Sequence, residues 1–201
     1  MQHLYWTIDL DFWQGRNNKF KFNTEILDSL RHKHIPIHVV LEHHHTLKHL
    51  KGLKFNTLIN SDFHSDIADL ETNGSLPVLN EGTWVNRISG RAKKTYIWHY
   101  PMQKCLTYST GYCHREPRNP FDFNKRGVCD WALTFKRQEF FPRDCDGELI
   151  GACICLSPAW TGLTTIGTFC QWYKKYKKSL IVDSDVKQFL SARNLLHSYG
   201  E

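Results

Sequence analysis

The chain reads as an α/β protein with a mainly parallel sheet covered by helices, and three observations predict this. Apolar runs of strand length are continuous rather than strictly alternating, as expected of strands buried on both faces. Early in the chain they alternate with segments of helical periodicity, the pattern of a layered α/β domain. Residues of metal-ligand type gather where the runs end, and parallel sheets collect ligands at the carboxyl ends of their strands.

Taken in order, residues 5–12 (YWTIDLDF) are rich in strand formers and carry two carboxylates near the end of the run. Residues 15–21 read as polar loop. Asn23 or Thr24 is placed to cap a helix running to about His32, with Ile26, Leu27 and Leu30 on one face. Residues 35–42 (IPIHVVLE) predict a second strand, 46–51 the start of a helix, and 55–60 a third strand. Asn73-Gly74, Pro77, Gly82 and Gly90 mark residues 67–90 as loop. Residues 95–100 (TYIWHY) predict a fourth strand, stopped by Pro101, and residues 102–127 a surface excursion. Two more strands follow at 128–136 and 149–156. Amphipathic helices at 163–178 and 185–197 close the chain, the last with Val186, Phe189, Leu190 and Leu196 in register.

A chain of 201 residues with 13% aromatics is long enough for one core, and no linker or repeat divides it. Residues 1–201 are therefore expected to form a single domain. No run reaches the roughly 20 apolar residues that span a bilayer, and Met1 to Tyr5 lack the charged and apolar regions of a signal peptide. A cytoplasmic protein is expected. The seven cysteines are odd in number, irregularly spaced and contain no CxxC pair, so buried thiols are expected rather than disulfides or structural zinc. The net charge of +6 owes much to Lys174-Lys175-Tyr176-Lys177-Lys178. No nucleic-acid motif accompanies it, and such a basic face is equally suited to an acidic peptide.

Three clusters carry the chemistry. Asp62, His64 and Asp66 stand at every second position, so they share a face of an extended chain. A straight strand would spread them over roughly 13 Å at about 3.3 Å per residue, too far for one ion, so the segment either curls or serves two. Asp9 and Asp11 end the first apolar run, and His43-His44-His45 follow the second. Hard oxygen ligands mixed with imidazole suit manganese, iron(II), zinc or magnesium, and a carboxylate-rich set tilts towards manganese. Four carboxylates and two histidines exceed one tetrahedral site and fit two ions about 3.5–4 Å apart, whose shared water becomes a nucleophile at neutral pH. Hydrolysis is the chemistry implied. Other candidates read as structural: His99 lies mid-strand among aromatics, Asp144 and Asp146 flank a turn, and Cys113-His114 are neighbours only in sequence.

Asp62-Phe63-His64-Ser65-Asp66 resembles the Asp-x-His-x-Asp motif of the arginase and agmatinase (ureohydrolase) superfamily. Leu41-Glu42-His43-His44 looks like its Gly-Gly-Asp-His-Ser, Ile8-Asp9-Leu10-Asp11 is similar to its second Asp-x-Asp strand, and Cys155-Leu156-Ser157-Pro158-Ala159-Trp160 resembles its last-strand Glu-Val-Ser-Pro-Pro-Tyr. A small arginase-like family that includes the peptide arginases of ribosomal peptide maturation is closer still, with a Trp-containing segment like Asn80 to Asn86. The resemblance covers roughly residues 4–165.

It implies a three-layer arginase-like fold, permuted because the Asp-x-Asp strand comes first in this chain. It implies two Mn2+ ions, other divalent metals being alternatives. Asp9 and Asp62 would bridge them, His43 and Asp66 would complete one, and Asp11 and His64 the other. Asp66 would also serve catalysis by holding the proton of the attacking hydroxide. The position of the substrate-binding glutamate is Cys155, which cannot accept a guanidinium in bidentate fashion. Glu81 and Asp130 are the candidates to replace it, with Trp84 either lining the arginine channel or packing. The implied activity converts arginine residues of a precursor peptide to ornithine and urea, with neither nucleic acid nor membrane as partner. Alternatives are a free guanidine or agmatine hydrolase, a deacetylase-like amidohydrolase, and a metal- or leader-peptide-binding module without turnover.

Overall fold

In the computed structural model, which describes residues 1–13, 24–62, 66, 79, 82–90, 94–99, 132–136 and 147–198, strand β1 (His3–Asp9) lies at the centre of the sheet and is buried from Leu4 onwards. Burial on both faces explains why this run is continuously apolar. The other strands are β2 (Ile37–Val40), β3 (Thr57–Ser61), β4 (Thr95–His99), β5 (Ala132–Lys136), β6 (Glu148–Cys155) and β7 (Ile181–Val182). They form one seven-stranded sheet in the order β5-β4-β3-β1-β6-β2-β7. Every neighbouring pair is parallel.

Helices α1 (Glu25–His32), α2 (Thr46–Leu50) and α3 (Leu163–Tyr176) lie between strands, and α4 (Ser184–Ser198) follows β7. One face of the sheet presents Leu4, Trp6, Ile8, Ile37 and Val39 to Leu27 and Leu30 of α1, Phe169 and Trp172 of α3, and Val186 and Leu190 of α4. The other presents Tyr5, Val40, Leu58, Tyr96 and Trp98 to Leu50 of α2 and to Trp84, Val85 and Ile88. Each large apolar side chain so buried contributes roughly 1.5–3 kcal/mol relative to exposure. The α/β class, the mainly parallel sheet and the helical cover thus match the expectation from sequence.

The path of the chain decides where a ligand can sit. Connections that step towards β7 (β1 to β2 through α1, β6 to β7 through α3) run over the first face. Those that step towards β5 (β2 to β3 through α2, β3 to β4 through the turn at Trp84) run over the second. A single handedness of crossover requires this division. Neighbours β1 and β3 therefore send their chains to opposite faces. The crevice between their carboxyl ends is a topological switch point, the usual ligand site of open α/β sheets.

Some boundaries differ from the sequence reading. The first strand stops at Asp9 because the Asp9 carboxylate accepts the Asp11 amide at 3.0 Å and turns Leu10–Trp13 into a 3-10 helix. The second stops at Val40, and His43–His45 form another 3-10 turn, held by the His45 amide on the Glu42 carbonyl. Trp84–Arg87 is a short helical turn within the stretch read as loop. Two-residue β7 is too short to leave a periodic signal. Gly147, with φ of 147°, lets β6 start beside β1, since a Cβ there would stand 2.6 Å from the Gln2 carbonyl oxygen. The Ile26 and Leu196 side chains, residues 102–127 and the first part of the strand expected at 128–136 lie outside the described residues. Among those described, no helix is long and apolar enough to cross a membrane.

Candidate metal centre

Side-chain alternation builds the site on the second face of the sheet. Tyr5, Thr7 and Asp9 point one way along β1, and Leu58, Asn60 and Asp62 point the same way along and just past β3. Asp9 is the last residue of β1, Asp62 the first after β3, and His43 the third after β2. Asp66 lies four residues beyond Asp62 and takes a left-handed φ of 55°. Such backbone strain in a non-glycine residue concentrates at functional positions.

The four side chains meet. His43 Nδ1 stands 2.9 Å from Asp62 Oδ2, 2.9 Å from Asp66 Oδ2 and 3.3 Å from Asp9 Oδ2. Ligands at right angles on an ion with bonds of about 2.1 Å are about 3.0 Å apart, so this spacing fits a shared coordination sphere. Asp9, Asp11, His43, Asp62 and Asp66 are each 3% exposed or less. A single imidazolium offsets one charge of these carboxylates, and burying the remainder is costly without a cation or protons. The donor set and its charge therefore fit a divalent metal.

Neighbours hold the carboxylates in place. Asn60, fully buried, donates through Nδ2 to Asp66 Oδ2 at 3.3 Å, Asp62 Oδ2 at 3.5 Å and the Tyr96 hydroxyl at 3.0 Å, while its Oδ1 accepts the Thr7 hydroxyl at 2.6 Å. The Trp84 indole donates to Asp66 Oδ2 at 2.5 Å. The Ser157 hydroxyl donates to Asp9 Oδ2 at 2.5 Å from a residue whose φ is 40°. Cys155, fully buried, places its sulfur 3.1 Å from Ser157 Oγ. His43 rests against the Trp84 ring at 4.8 Å between centroids, and its Nε2 has no hydrogen-bond partner among the described residues.

Of the residues singled out from sequence, the structure brings together Asp9, His43, Asp62 and Asp66, with Asp11 buried beside them through its backbone bond to Asp9. Trp84, expected in a channel or in the core, is wholly buried and bonded to Asp66. His64, Glu81 and Asp130 lie outside the described residues, as do Asp144, Asp146, Cys113, His114 and the His99 side chain. Sequence reasoning gave no role to Asn60 or Ser157. Asn60 shares the strand parity of Asp62 two residues on, which was the available signal.

A second group, His45, Asp183 and Asp185, also brings ligand atoms together. Its carboxylates already have protein partners: Lys48 pairs with Asp183, the His49 ring lies 3.2 Å from the same carboxylate, and His45 lies 3.1 Å from Asp185. We read it as the tether between α2 and α4.

Protonation follows from burial. Burial, Asp66 and Asp9 push Asp62 up to about 7, and burial and Asp11 push Asp9 up. Burial alone would lower His43, but Asp66, Asp62 and Asp9 outweigh it and raise it well above the usual imidazole range. All three groups bind protons more readily folded than unfolded, so the stability they confer is present at low pH and is lost as pH rises through the folded values. His38, lowered to about 4 by burial and His49, acts in the opposite sense, but only below the unfolded histidine value near 6.5. Between pH 6.5 and 8 the metal-free protein is expected to lose roughly 3–6 °C in melting temperature. A saturating divalent metal should abolish that slope, because a bound cation would replace the protons. Calorimetry with and without chelator checks this, and a flat metal-free profile would refute it.

No family model, curated protein or solved structure matches the chain.

Proposed function

We propose that the chain is a divalent-metal-dependent hydrolase of arginase-like fold whose preferred substrate is an arginine residue within a peptide. The observation that carries the reading is the convergence of Asp9, Asp62 and Asp66 on His43 Nδ1 at a switch point of the sheet. Asp9, His43, Asp62 and Asp66 would hold one ion, and Asp11 and His64 would join the bridging Asp9 and Asp62 to hold a second. Ions bound there supply Lewis acidity, which activates water and polarises the carbon under attack.

The protein's own groups then have distinct tasks. Asp66 would hold the proton of the attacking hydroxide, and it is kept aimed by Trp84 and Asn60. Ser157 fixes the rotamer of Asp9. Buried surroundings exclude bulk water and strengthen every charge interaction at the site. Ornithine in the peptide and urea are the products.

A second reading is supported by Cys155. Its thiol, raised by burial and by Asp9, stays protonated and is turned to Ser157, so it offers no anchor to a guanidinium. Glu81 or Asp130 must supply that anchor for arginine, whereas an acylated amine needs none. The test incubates the Mn2+-loaded protein with an arginine-containing peptide, free arginine, agmatine and an acetyl-lysine peptide, reading urea, acetate and peptide mass. Urea from the peptide alone is the expected result. Turnover of agmatine would sink the peptide assignment, acetate release would establish the second reading, and stoichiometric metal without turnover would leave a binding module.

A further inference from the structure

Away from the strand ends, α3 and α4 enclose a cavity of about 550 Å³ lined by Cys170, Tyr173, Lys174, Lys177, Lys187, Leu190 and Ser191. Its size falls within the range of ligand sites, roughly 300–1,000 Å³. The spacing explains the lining: Cys170, Tyr173, Lys174 and Lys177 recur at three and four residues along one side of α3 and the turn after it. Lys187, Leu190 and Ser191 do so along α4. Leu190 is buried and Cys170 and Tyr173 are half-buried, so the floor is apolar, while the three lysines are exposed around it. Among the described residues no carboxylate pairs with Lys174, Lys177 or Lys187. Lys174 and Arg193 are close enough to the Cys170 thiol to oppose the rise that burial imposes on it.

We propose that this groove docks an acidic peptide segment of a partner, with one apolar side chain on Leu190 and Tyr173 and its carboxylates on the three lysines. Charge complementarity and the apolar floor together carry the inference. A nucleic-acid strand fits less well. Successive bases stack on several aromatic rings, and the cavity lining offers one, Tyr173. The cations lining the cavity are lysines rather than the arginines whose planar fork matches phosphate. The groove uses the lysine-rich stretch 174–178, which the metal centre leaves unexplained, and the proposal does not depend on the chemistry at that centre.

The test uses the full chain and a fluorescein-labelled peptide, Glu-Glu-Leu-Glu-Glu-Leu-Glu-Glu, followed by anisotropy at low and moderate salt. Its glutamine counterpart and a labelled oligothymidine are run alongside. The acidic peptide is expected to bind with an affinity that falls as salt rises. Lys174→Glu with Lys187→Glu should weaken binding by about thirtyfold, each reversal turning an attraction into a repulsion. Lys175→Glu with Lys178→Glu changes net charge equally outside the cavity lining and should cost about threefold or less. Circular dichroism melts report whether each variant is folded, and Leu190→Met offers a milder change that should lower affinity without a charge effect. Equal losses in the two double variants, equal binding of the glutamine peptide, no binding at all, or tighter binding of oligothymidine would each overturn the proposal.

Discussion

Asp62→Asn is expected to abolish metal retention and to lower hydrolysis at least about a hundredfold, since even outer partners of metal ligands carry ten- to hundredfold effects. The same change should act on stability with opposite signs in the two states. Without metal, the variant removes one buried carboxylate from beside Asp66 and Asp9, whose repulsion and desolvation raise the Asp62 pKa, so it should melt higher than wild type. With Mn2+ present, only wild type gains binding free energy, and the order reverses. Melting curves with chelator and with metal provide the measurement. A metal-loaded, active Asp62→Asn protein would refute the metal centre. His43→Ala should likewise lose metal, whereas His44→Ala and His45→Ala should retain it, because His43 is the one that stands against Asp9, Asp62 and Asp66, while His45 faces Asp185.

Trp84→Ala is expected to have the largest effect on folding, about 3–5 kcal/mol, since it empties the place of a fully buried indole in the second core. Trp84→Phe separates packing from hydrogen bonding. It keeps most of the volume but removes the donor to Asp66 Oδ2, so it should lose roughly 1–3 kcal/mol of stability and ten- to hundredfold in metal affinity. Urea denaturation and metal titration of both variants check the split. Unchanged metal affinity in Trp84→Phe would remove Trp84 from the positioning of Asp66.

The strands that build the crevice were legible because burial on both faces writes itself as unbroken apolar runs, as in β1 and β3. Asp9 and Asp62 could be placed at their ends for the same reason. The meeting with His43 was less visible. It depends on β6 entering between β1 and β2, a strand order that pairing partners far apart in sequence decide. Local geometry hid more. Asp11 was read as a second carboxylate on an extended strand, but the Asp9 carboxylate accepts the Asp11 backbone amide and ends that strand at Asp9. Ser157 reaches Asp9 across 148 positions of sequence. Nothing in the neighbourhood of either residue announces that contact.

The central place of β1 has a consequence for biosynthesis. A strand with a neighbour on each side needs both to be complete, and its partner β6 begins only at Glu148. At roughly 5–20 residues per second, one edge of β1 waits on the order of ten seconds for translation to deliver that partner. During that interval Leu4 to Asp9 form a mainly apolar strand with open backbone hydrogen-bonding groups, the kind of surface that nascent chains use to aggregate and that chaperones shield. Yield of folded protein should therefore respond to chaperone supply more than native stability alone would suggest.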